Sequence, residues 1–190
     1  MKKIVLFASG SGTNAENIIL HFNKTNSGTV VAVFSNNPNG KVLDRAQKLN
    51  VPTVVFSKEE FSDGTILQKL MDLKPDLIVL AGFLLKLPHT IVKAFPDKII
   101  NIHPALLPKY GGKGMYGMHV HRAIIENREV ETGISIHFVN EHYDEGNIIF
   151  QKTVALNGNE TPEEVAEKVH QLEQLHFPEV ISELLSNSSK

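Results

Sequence analysis

The length, composition and charge of the chain favour a single globular domain, residues 1–190, and exclude several classes of protein. Apolar residues make up 42% and charged residues 21% of its 190 residues, and a net charge of −2 gives no electrostatic reason to bind nucleic acid. The chain has no cysteine, which excludes disulfides and thiolate chemistry, and no apolar run as long as a membrane span, so we expect a cytoplasmic protein without a membrane partner.

Short apolar runs alternate with longer segments of helical period through the first half of the chain. This is the pattern of βαβ units around a parallel sheet. The pattern predicts strands at Lys3–Ala8, Val30–Phe34, Thr53–Phe56, Leu77–Ala81 and Ile99–His103, with helices at Asn14–Asn23, Lys41–Leu49, Lys58–Leu73 and Pro88–Ala94.

The pattern changes after His103. A glycine-rich loop, YGGKGMYGMHVH, precedes a short helix predicted near Arg122–Glu126. Strands are predicted at Thr132–Val139 and Asn147–Val154, followed by a helix over 162–185 whose start, TPEE, has an N-cap threonine, a proline and acids in the first turn. The final SNSSK is expected to be disordered. We therefore predict an α/β fold with a mainly parallel twisted sheet and an antiparallel C-terminal part.

The turn after the first strand, residues 9–14, reads SGSGTN and leads into a helix. Glycines let an anion approach the backbone, and the N–H groups of a helix start favour phosphate. The spacing Gly10-x-Gly12-x-x-Ala15 also fits a dinucleotide fingerprint, but that site needs an acid after the second strand, where residues 35–37 read SNN. A nicotinamide cofactor is therefore disfavoured, while phosphate binding and a turn without a ligand stay open.

The segment NIHPALLPKYGG begins at the end of the fifth predicted strand. Asn101 and His103 stand two residues apart, so they face the same side of that strand. Pro104 and Pro108 stiffen the loop that follows. An amide donor and a titratable imidazole held together in this way indicate a catalytic site.

A turn between the last two strands contains Asp144, followed two residues later by Gly146. By itself such an aspartate is more often a turn residue, but a catalytic imidazole at His103 needs a carboxylate partner. On the strand before this turn, His137 faces the same side as Ser135. It could line the site from beneath or be a packed strand histidine, and both interpretations stay open.

His119 and His121 form an H-x-H pair, which in a strand could bind a metal ion. There is no cysteine and no clear third ligand, so a role on the surface or in a loop is the favoured interpretation, and we expect no metal site.

Taken together, SGSGTN, VFSN, LAGFLLKL, NIHPALLPKY, TGISIHFVNEHYDEGNII and EQLHFP resemble the phosphoribosylglycinamide formyltransferases, and the resemblance runs almost end to end. NIHPALLP with a downstream D-x-G is shared with methionyl-tRNA formyltransferases and formyltetrahydrofolate deformylases. The phosphate loop favours the narrower family, as does the lack of the further basic domain or N-terminal module that those enzymes have.

The resemblance implies a Rossmann-like three-layer formyltransferase fold with a phosphate-binding half, 1–100, and a catalytic and folate-binding half, 101–190. For the phosphate and ribose of glycinamide ribonucleotide it implies Gly10, Ser11, Gly12, Thr13, Asn14 and Glu173. For the folate it implies Leu84, Leu85, Lys86, Leu87, Asn140, Glu141, His142 and Tyr143. For catalysis it implies Asn101, His103 and Asp144.

The same resemblance implies an enzyme of purine biosynthesis that needs no metal. The amine of glycinamide ribonucleotide would attack the formyl carbon of 10-formyltetrahydrofolate directly, through a tetrahedral intermediate whose oxygen Asn101 and His103 stabilise. We expect a monomer or a weak homodimer. The alternatives are a hydrolase that uses water in place of the amine and a non-catalytic phosphate sensor.

Overall fold

The computed structural model describes residues 1–142 and 144–187. Its strands are β1 (Lys3–Phe7), β2 (Thr29–Ser35), β3 (Thr53–Val55), β4 (Leu77–Leu80), β5 (Ile99–His103), β6 (Glu131–Phe138) and β7 (Ile148–Ala155). Its helices are α1 (Thr13–Thr25), α2 (Lys41–Lys48), α3 (Lys58–Ser62), α4 (Thr65–Leu73), α5 (His89–Ala94), α6 (Met118–Glu126) and α7 (Pro162–Asn187).

The strands form one sheet in the order β3-β2-β1-β4-β5-β6-β7. β1 pairs in parallel with β2 and β4, and β2 pairs in parallel with β3. β6 and β7 are antiparallel. The start of this order, 3-2-1-4-5, is that of a Rossmann-like sheet. The predicted α/β class, with a mainly parallel sheet and an antiparallel C-terminal part, is confirmed.

The described residues divide into two compact units, one of residues 1–100 with 178–187 and one of residues 101–177. The first unit has β1 and β4 at its centre, and both strands are almost wholly apolar and buried. Phenylalanines at or just after its strand ends pack together, with Phe7 stacked on Phe34 at 5.0 Å and edge-on to Phe83 at 5.2 Å between ring centroids. The loops that follow these strands therefore begin at a closely packed group of aromatic rings.

The second unit contains the β6–β7 hairpin and the segments that lead into it. β6 alternates little in burial, because six of its eight residues are buried. Gly146 lies where the chain re-enters the hairpin, and a Cβ there would collide with the carbonyl of Phe138. Only glycine allows this close approach of residue 146 to the end of β6.

The single helix predicted over Lys58–Leu73 is wrong, because the structure has two helices there. α3 starts at a capping box made by Ser57 and Glu60 and ends after one turn. Gly64 then adopts φ 97° and becomes the N-cap of α4. The Asp63-Gly64 pair is a turn signal, and it outweighs the continuous helical period of the apolar residues.

Other boundaries also differ from the prediction, most of them by only one or two residues. α6 begins at Met118, four residues before the predicted start near Arg122. α7 continues to Asn187, so Ser186 and Asn187 are helical although they were predicted to be disordered. Residues 188–190 lie outside the described part of the chain. Among the described residues, none of the helices combines the length and apolar character needed to cross a membrane.

Candidate active site

The end of β5 places an imidazole in a fixed orientation. The His103 side chain is 4% exposed, and its Nε2 lies 2.7 Å from the carbonyl oxygen of Tyr110. A carbonyl only accepts hydrogen bonds, so the proton of a neutral ring is on Nε2, which donates to Tyr110. Nδ1 is then left to face other groups of the second unit.

The carboxylate of Asp144 lies between two imidazoles. Its Oδ2 is 3.6 Å from Nδ1 of His103, and its Oδ1 is 3.5 Å from Nε2 of His137. The backbone N–H of Gly112 donates to Oδ2 at 2.9 Å. Asp144 itself adopts φ 55°, a left-handed conformation that aspartate and asparagine tolerate better than most residues. The predicted partnership of Asp144 with His103 is present in this geometry.

Burial and charge oppose each other at this cluster. Burial lowers the pKa of His103 below its ordinary value, although the negative charge of Asp144 and the hydrogen bond to Tyr110 raise it. For Asp144, burial raises the pKa, but the contacts with His137, His103 and Gly112 outweigh it and the pKa is lowered. The site at neutral pH therefore pairs a neutral His103 with an ionised Asp144.

Asn101 joins the same cluster through His137. Its Nδ2 lies 3.1 Å from Nε2 of His137, whose Nδ1 is 2.8 Å from the carbonyl oxygen of Phe138. The three predicted residues Asn101, His103 and Asp144 are thus connected in one group of side chains, and His137, left open by the sequence, is part of it. The packed-histidine interpretation of His137 accounts for its burial but not for these contacts.

A buried hydroxyl holds the loop after His103. Ser135 accepts a hydrogen bond from the N–H of Leu107 at 2.9 Å and donates to the carbonyl of Ala105 at 2.7 Å. Gln151 donates to Ser135 at 2.8 Å and to the carbonyl of Leu107 at 3.0 Å. Sequence reasoning missed this role of Ser135 and Gln151. Their positions opposite each other in the β6–β7 register would have been the signal.

The predicted phosphate loop lies in the first unit, between β1 and α1. Gly12 is the N-cap of α1 with φ 75°, and a Cβ there would lie 2.5 Å from Cβ of Val42, so this position needs glycine for conformation and for space. At Gly10 an added Cβ would meet no atom of the described residues within 4 Å. The loop therefore leaves open space beside Gly10, while a helix start follows Gly12.

Hydrogen bonds with neighbouring segments hold this loop in place. The hydroxyl of Ser9 donates to Oδ1 of Asn36 at 2.7 Å and accepts from the N–H of Leu84 at 3.1 Å. Nε of Arg45 donates to the carbonyl of Ser11 at 2.9 Å. The loop thus has a defined backbone path, and its contact with Leu84 connects it to the predicted folate segment 84–87.

The residues assigned to the folate fall into two groups. In residues 84–87 of the first unit, Leu84 is 57% exposed and Leu87 is buried. In the second unit, residues 140–142 are exposed, and the N–H of His142 donates to Oδ1 of Asn140 at 2.9 Å. Tyr143, also assigned to the folate, lies outside the described residues.

Glu173, assigned to the ribose, is on α7 in the second unit. Its Oε2 lies 3.0 Å from Nδ1 of His170, and the Glu173 side chain is 13% exposed. Its negative charge also raises the pKa of His103 and of His121, although burial lowers both pKa values overall. The carboxylate is therefore electrostatically coupled to His103.

The two histidines of the H-x-H pair lie on helix α6 and not on a strand. Residues two apart on a helix point in different directions, and His119 is exposed while His121 is buried. No hydrogen-bond partner reaches Nδ1 of His121 within the described part of the chain. Across residues 1–142 and 144–187, no three His, Asp or Glu side chains are grouped closely enough to bind a metal ion.

Comparison with known proteins agrees with this geometry. The model of the formyl transferase family matches residues 2–181, and the chain therefore belongs to that family. A chloroplastic phosphoribosylglycinamide formyltransferase of Arabidopsis thaliana is 39% identical over 100% of this chain and 67% of its own length. The phosphoribosylglycinamide formyltransferase of Bacillus subtilis is 32% identical over 100% of this chain and 98% of its own.

Solved structures give the same result. The crystal structure of glycinamide ribonucleotide transformylase 1 from Geobacillus kaustophilus has a TM-score of 0.89 and 34% sequence identity, covering 97% of this chain and 99% of its own. The fold and the family are thus similar over nearly the whole chain.

Proposed function

We propose that this chain transfers the formyl group of 10-formyltetrahydrofolate to the amine of glycinamide ribonucleotide. The observation that carries the proposal is the cluster of Asn101, His103 and Asp144 at the end of β5, in a chain that belongs to the formyl transferase family. The names of its relatives support the choice of acceptor, which places the reaction in purine biosynthesis.

The chemistry requires stabilisation of a negative oxygen. Attack of the amine on the formyl carbon gives a tetrahedral centre, and preorganised N–H donors lower the energy of its oxyanion. Asn101 has two amide hydrogens, and His137 can occupy only one of them. The second is free to donate to the oxyanion. No covalent enzyme intermediate is required in this scheme.

His103 and Asp144 would move the proton of the attacking amine to the folate nitrogen. Because burial lowers the pKa of His103, its neutral ring can accept the proton that the attacking amine loses, directly or through water. The Asp144 carboxylate, 3.6 Å from Nδ1, stabilises the imidazolium that forms, and this cation can then stabilise the oxyanion. Return of the proton to the folate nitrogen completes the transfer.

Substrate binding is divided among the other predicted residues. The ribonucleotide phosphate would lie on the open side of Gly10, against the backbone of residues 9–14, and Glu173 would bind the ribose hydroxyls. The pterin would contact the segments 84–87 and 140–144. We also propose that the chain is one formyltransferase domain, with a phosphate-binding half, 1–100, and a catalytic and folate-binding half, 101–190. We propose that it acts in the cytoplasm, as a monomer or a weak homodimer.

One assay tests the function. The purified protein is incubated with 10-formyltetrahydrofolate, with and without glycinamide ribonucleotide, and formylated ribonucleotide, formate and tetrahydrofolate are quantified. We expect formylated ribonucleotide and tetrahydrofolate in equal amounts, and little formate. Release of formate at the same rate without the ribonucleotide would support the hydrolase instead, and no turnover in either case would support the sensor.

The matched variant is His103→Ala. A positioned acid or base contributes about a hundredfold to ten-thousandfold to turnover, so kcat should fall by that range while the KM for the ribonucleotide stays close to its original value. A variant that retains its turnover at saturating substrates would remove His103 from the chemistry.

A further inference from the structure

We propose that His137 is a positioning residue for this reaction, because its ring determines which end of the Asn101 amide faces the substrate. The inference rests on the proposed function and goes beyond the catalytic group of Asn101, His103 and Asp144. It assigns a task to a buried histidine that contacts both Asn101 and Asp144.

The first step is the tautomer of His137. Nδ1 lies 2.8 Å from the carbonyl oxygen of Phe138, which can only accept a hydrogen bond, so Nδ1 has the proton. The side chain is 3% exposed, so water does not compete for this contact. A neutral His137 ring therefore presents a lone pair at Nε2.

The second step is the orientation of Asn101. A lone pair at Nε2 can be met by the NH₂ group of an amide but not by its oxygen, and Nδ2 of Asn101 lies 3.1 Å away. This contact selects one of the two amide orientations. One hydrogen of the NH₂ group is bound to His137, and the other remains for the oxyanion. In the reversed orientation the amide oxygen would face the oxyanion and repel it.

The third step is the surrounding charge. The charged or titratable groups that face His137 are Asp144, whose Oδ1 lies 3.5 Å from the same Nε2, and His103, with which His137 interacts electrostatically. An ionised carboxylate has no hydrogen to donate, so the lone pair at Nε2 is met by Asn101, and Asp144 acts on the ring only through its charge. Loss of the His137 lone pair should disturb the donor first, because the Asn101 contact is the shorter of the two.

Two substitutions separate positioning from packing. His137→Phe keeps a ring of similar size and removes both nitrogens, so kcat should fall about tenfold to a hundredfold through misplacement of the donor, with both KM values changed by less than about threefold. His137→Gln offers an amide oxygen that can accept from Asn101, so it should recover most of the lost turnover. Thr132→Val, at a buried position of the same strand, is the control and should leave kcat unchanged.

A double-mutant comparison tests the route of the effect. In an Asn101→Ala background His137→Phe should cost much less turnover than in the original chain, because the donor that it positions is gone. Equal costs in the two backgrounds, or a Gln variant no better than the Phe variant, would overturn the proposal.

A spectroscopic measurement needs no activity. The ¹⁵N resonances of His137 in the unsubstituted protein should report a proton on Nδ1 and a lone pair on Nε2, and the opposite tautomer would refute the inference even if His137→Phe does not fold. Failure of the proposed function is recognised separately, as the absence of formyl transfer by the unsubstituted protein.

Discussion

Replacing Asp144 with asparagine removes one charge from the cluster that it forms with His103 and His137 and changes little else. Asparagine retains an oxygen that can accept from the N–H of Gly112, as Oδ2 does now at 2.9 Å. It also tolerates the left-handed backbone at φ 55°. The turn should therefore persist, and the substitution separates a structural role of this residue from an electrostatic one.

The structure sets the size of the electrostatic effect. Two unit charges 3.6 Å apart, the distance from Oδ2 to Nδ1 of His103, attract by about 1 kcal/mol in bulk water and about 5 kcal/mol at an effective dielectric constant near 20. Both side chains are largely buried, with 4% and 12% exposure, which favours the upper part of this range. Since about 1.4 kcal/mol corresponds to tenfold in rate, turnover should fall by roughly tenfold to a few thousandfold.

The assay measures three quantities on one preparation: kcat, the melting temperature, and the titration of His103 followed by NMR. We expect lower turnover, a further decrease in the pKa of His103 because its anionic partner is gone, and a melting temperature close to the original. Asp63→Asn is the matched control, since Asp63 accepts from a backbone N–H in a turn, at 2.8 Å from Thr65. Unchanged turnover with an unchanged His103 titration would make Asp144 a turn residue, and a collapse of thermal stability would mean that the charge of Asp144 also maintains the fold.

Three other outcomes are expected from the structure. Gly10→Ala should raise the KM for the ribonucleotide about tenfold or more, because a methyl group would fill the open side of the loop where a hydrogen-bonded anion is worth roughly 1.5–3 kcal/mol; equal changes in both KM values would argue against the phosphate assignment. Thr132→Val should raise the melting temperature by about 2–4 °C, since the Thr132 hydroxyl is buried without a hydrogen-bond partner among the described residues and removal of such a group stabilises by about 1 kcal/mol; a lower melting temperature would contradict this. Contacts with Lys168 and a backbone N–H lower the pKa of Glu160 to about 2, so its contribution to stability is present above pH 4.5 and is lost as the pH falls through about 2; acid unfolding curves of Glu160→Gln that match the original would refute it.

The grouping of Asn101 with His103 was largely predictable, because the residue types and their spacing indicate it. Asn101 and His103 stand at i and i+2 on a strand that ends in a proline loop, and strand periodicity alone puts them on one side. The role of Asp144 could be predicted only from the need of His103 for a carboxylate partner. Nothing local distinguishes Asp144 from a turn aspartate, and its partnership with His103 depends on a contact between segments 41 residues apart in the chain.

The contacts of the site that could not be predicted are mostly made by backbone groups. The carbonyl of Tyr110 and the N–H of Gly112 orient His103 and Asp144, and a backbone group has no residue-type signature in a sequence. The break between α3 and α4 is different, since Asp63-Gly64 is a visible turn signal that the helical period of the neighbouring leucines obscured. The early start of α6 was hidden for a similar reason, because the glycines before Met118 favoured a loop.

The hydroxyl of Ser135 limits which substitutions this protein can tolerate at position 135. A hydroxyl can donate one hydrogen bond and accept two, and all three are used, by Ala105, Leu107 and Gln151. Any replacement without a hydroxyl leaves buried backbone groups unpaired next to the histidine loop. In a library containing all twenty residues at position 135, the surviving clones should contain serine or, where its methyl group fits, threonine. Tolerance to substitution would then be narrowest at a fully buried side chain that lies outside the group of Asn101, His103 and Asp144.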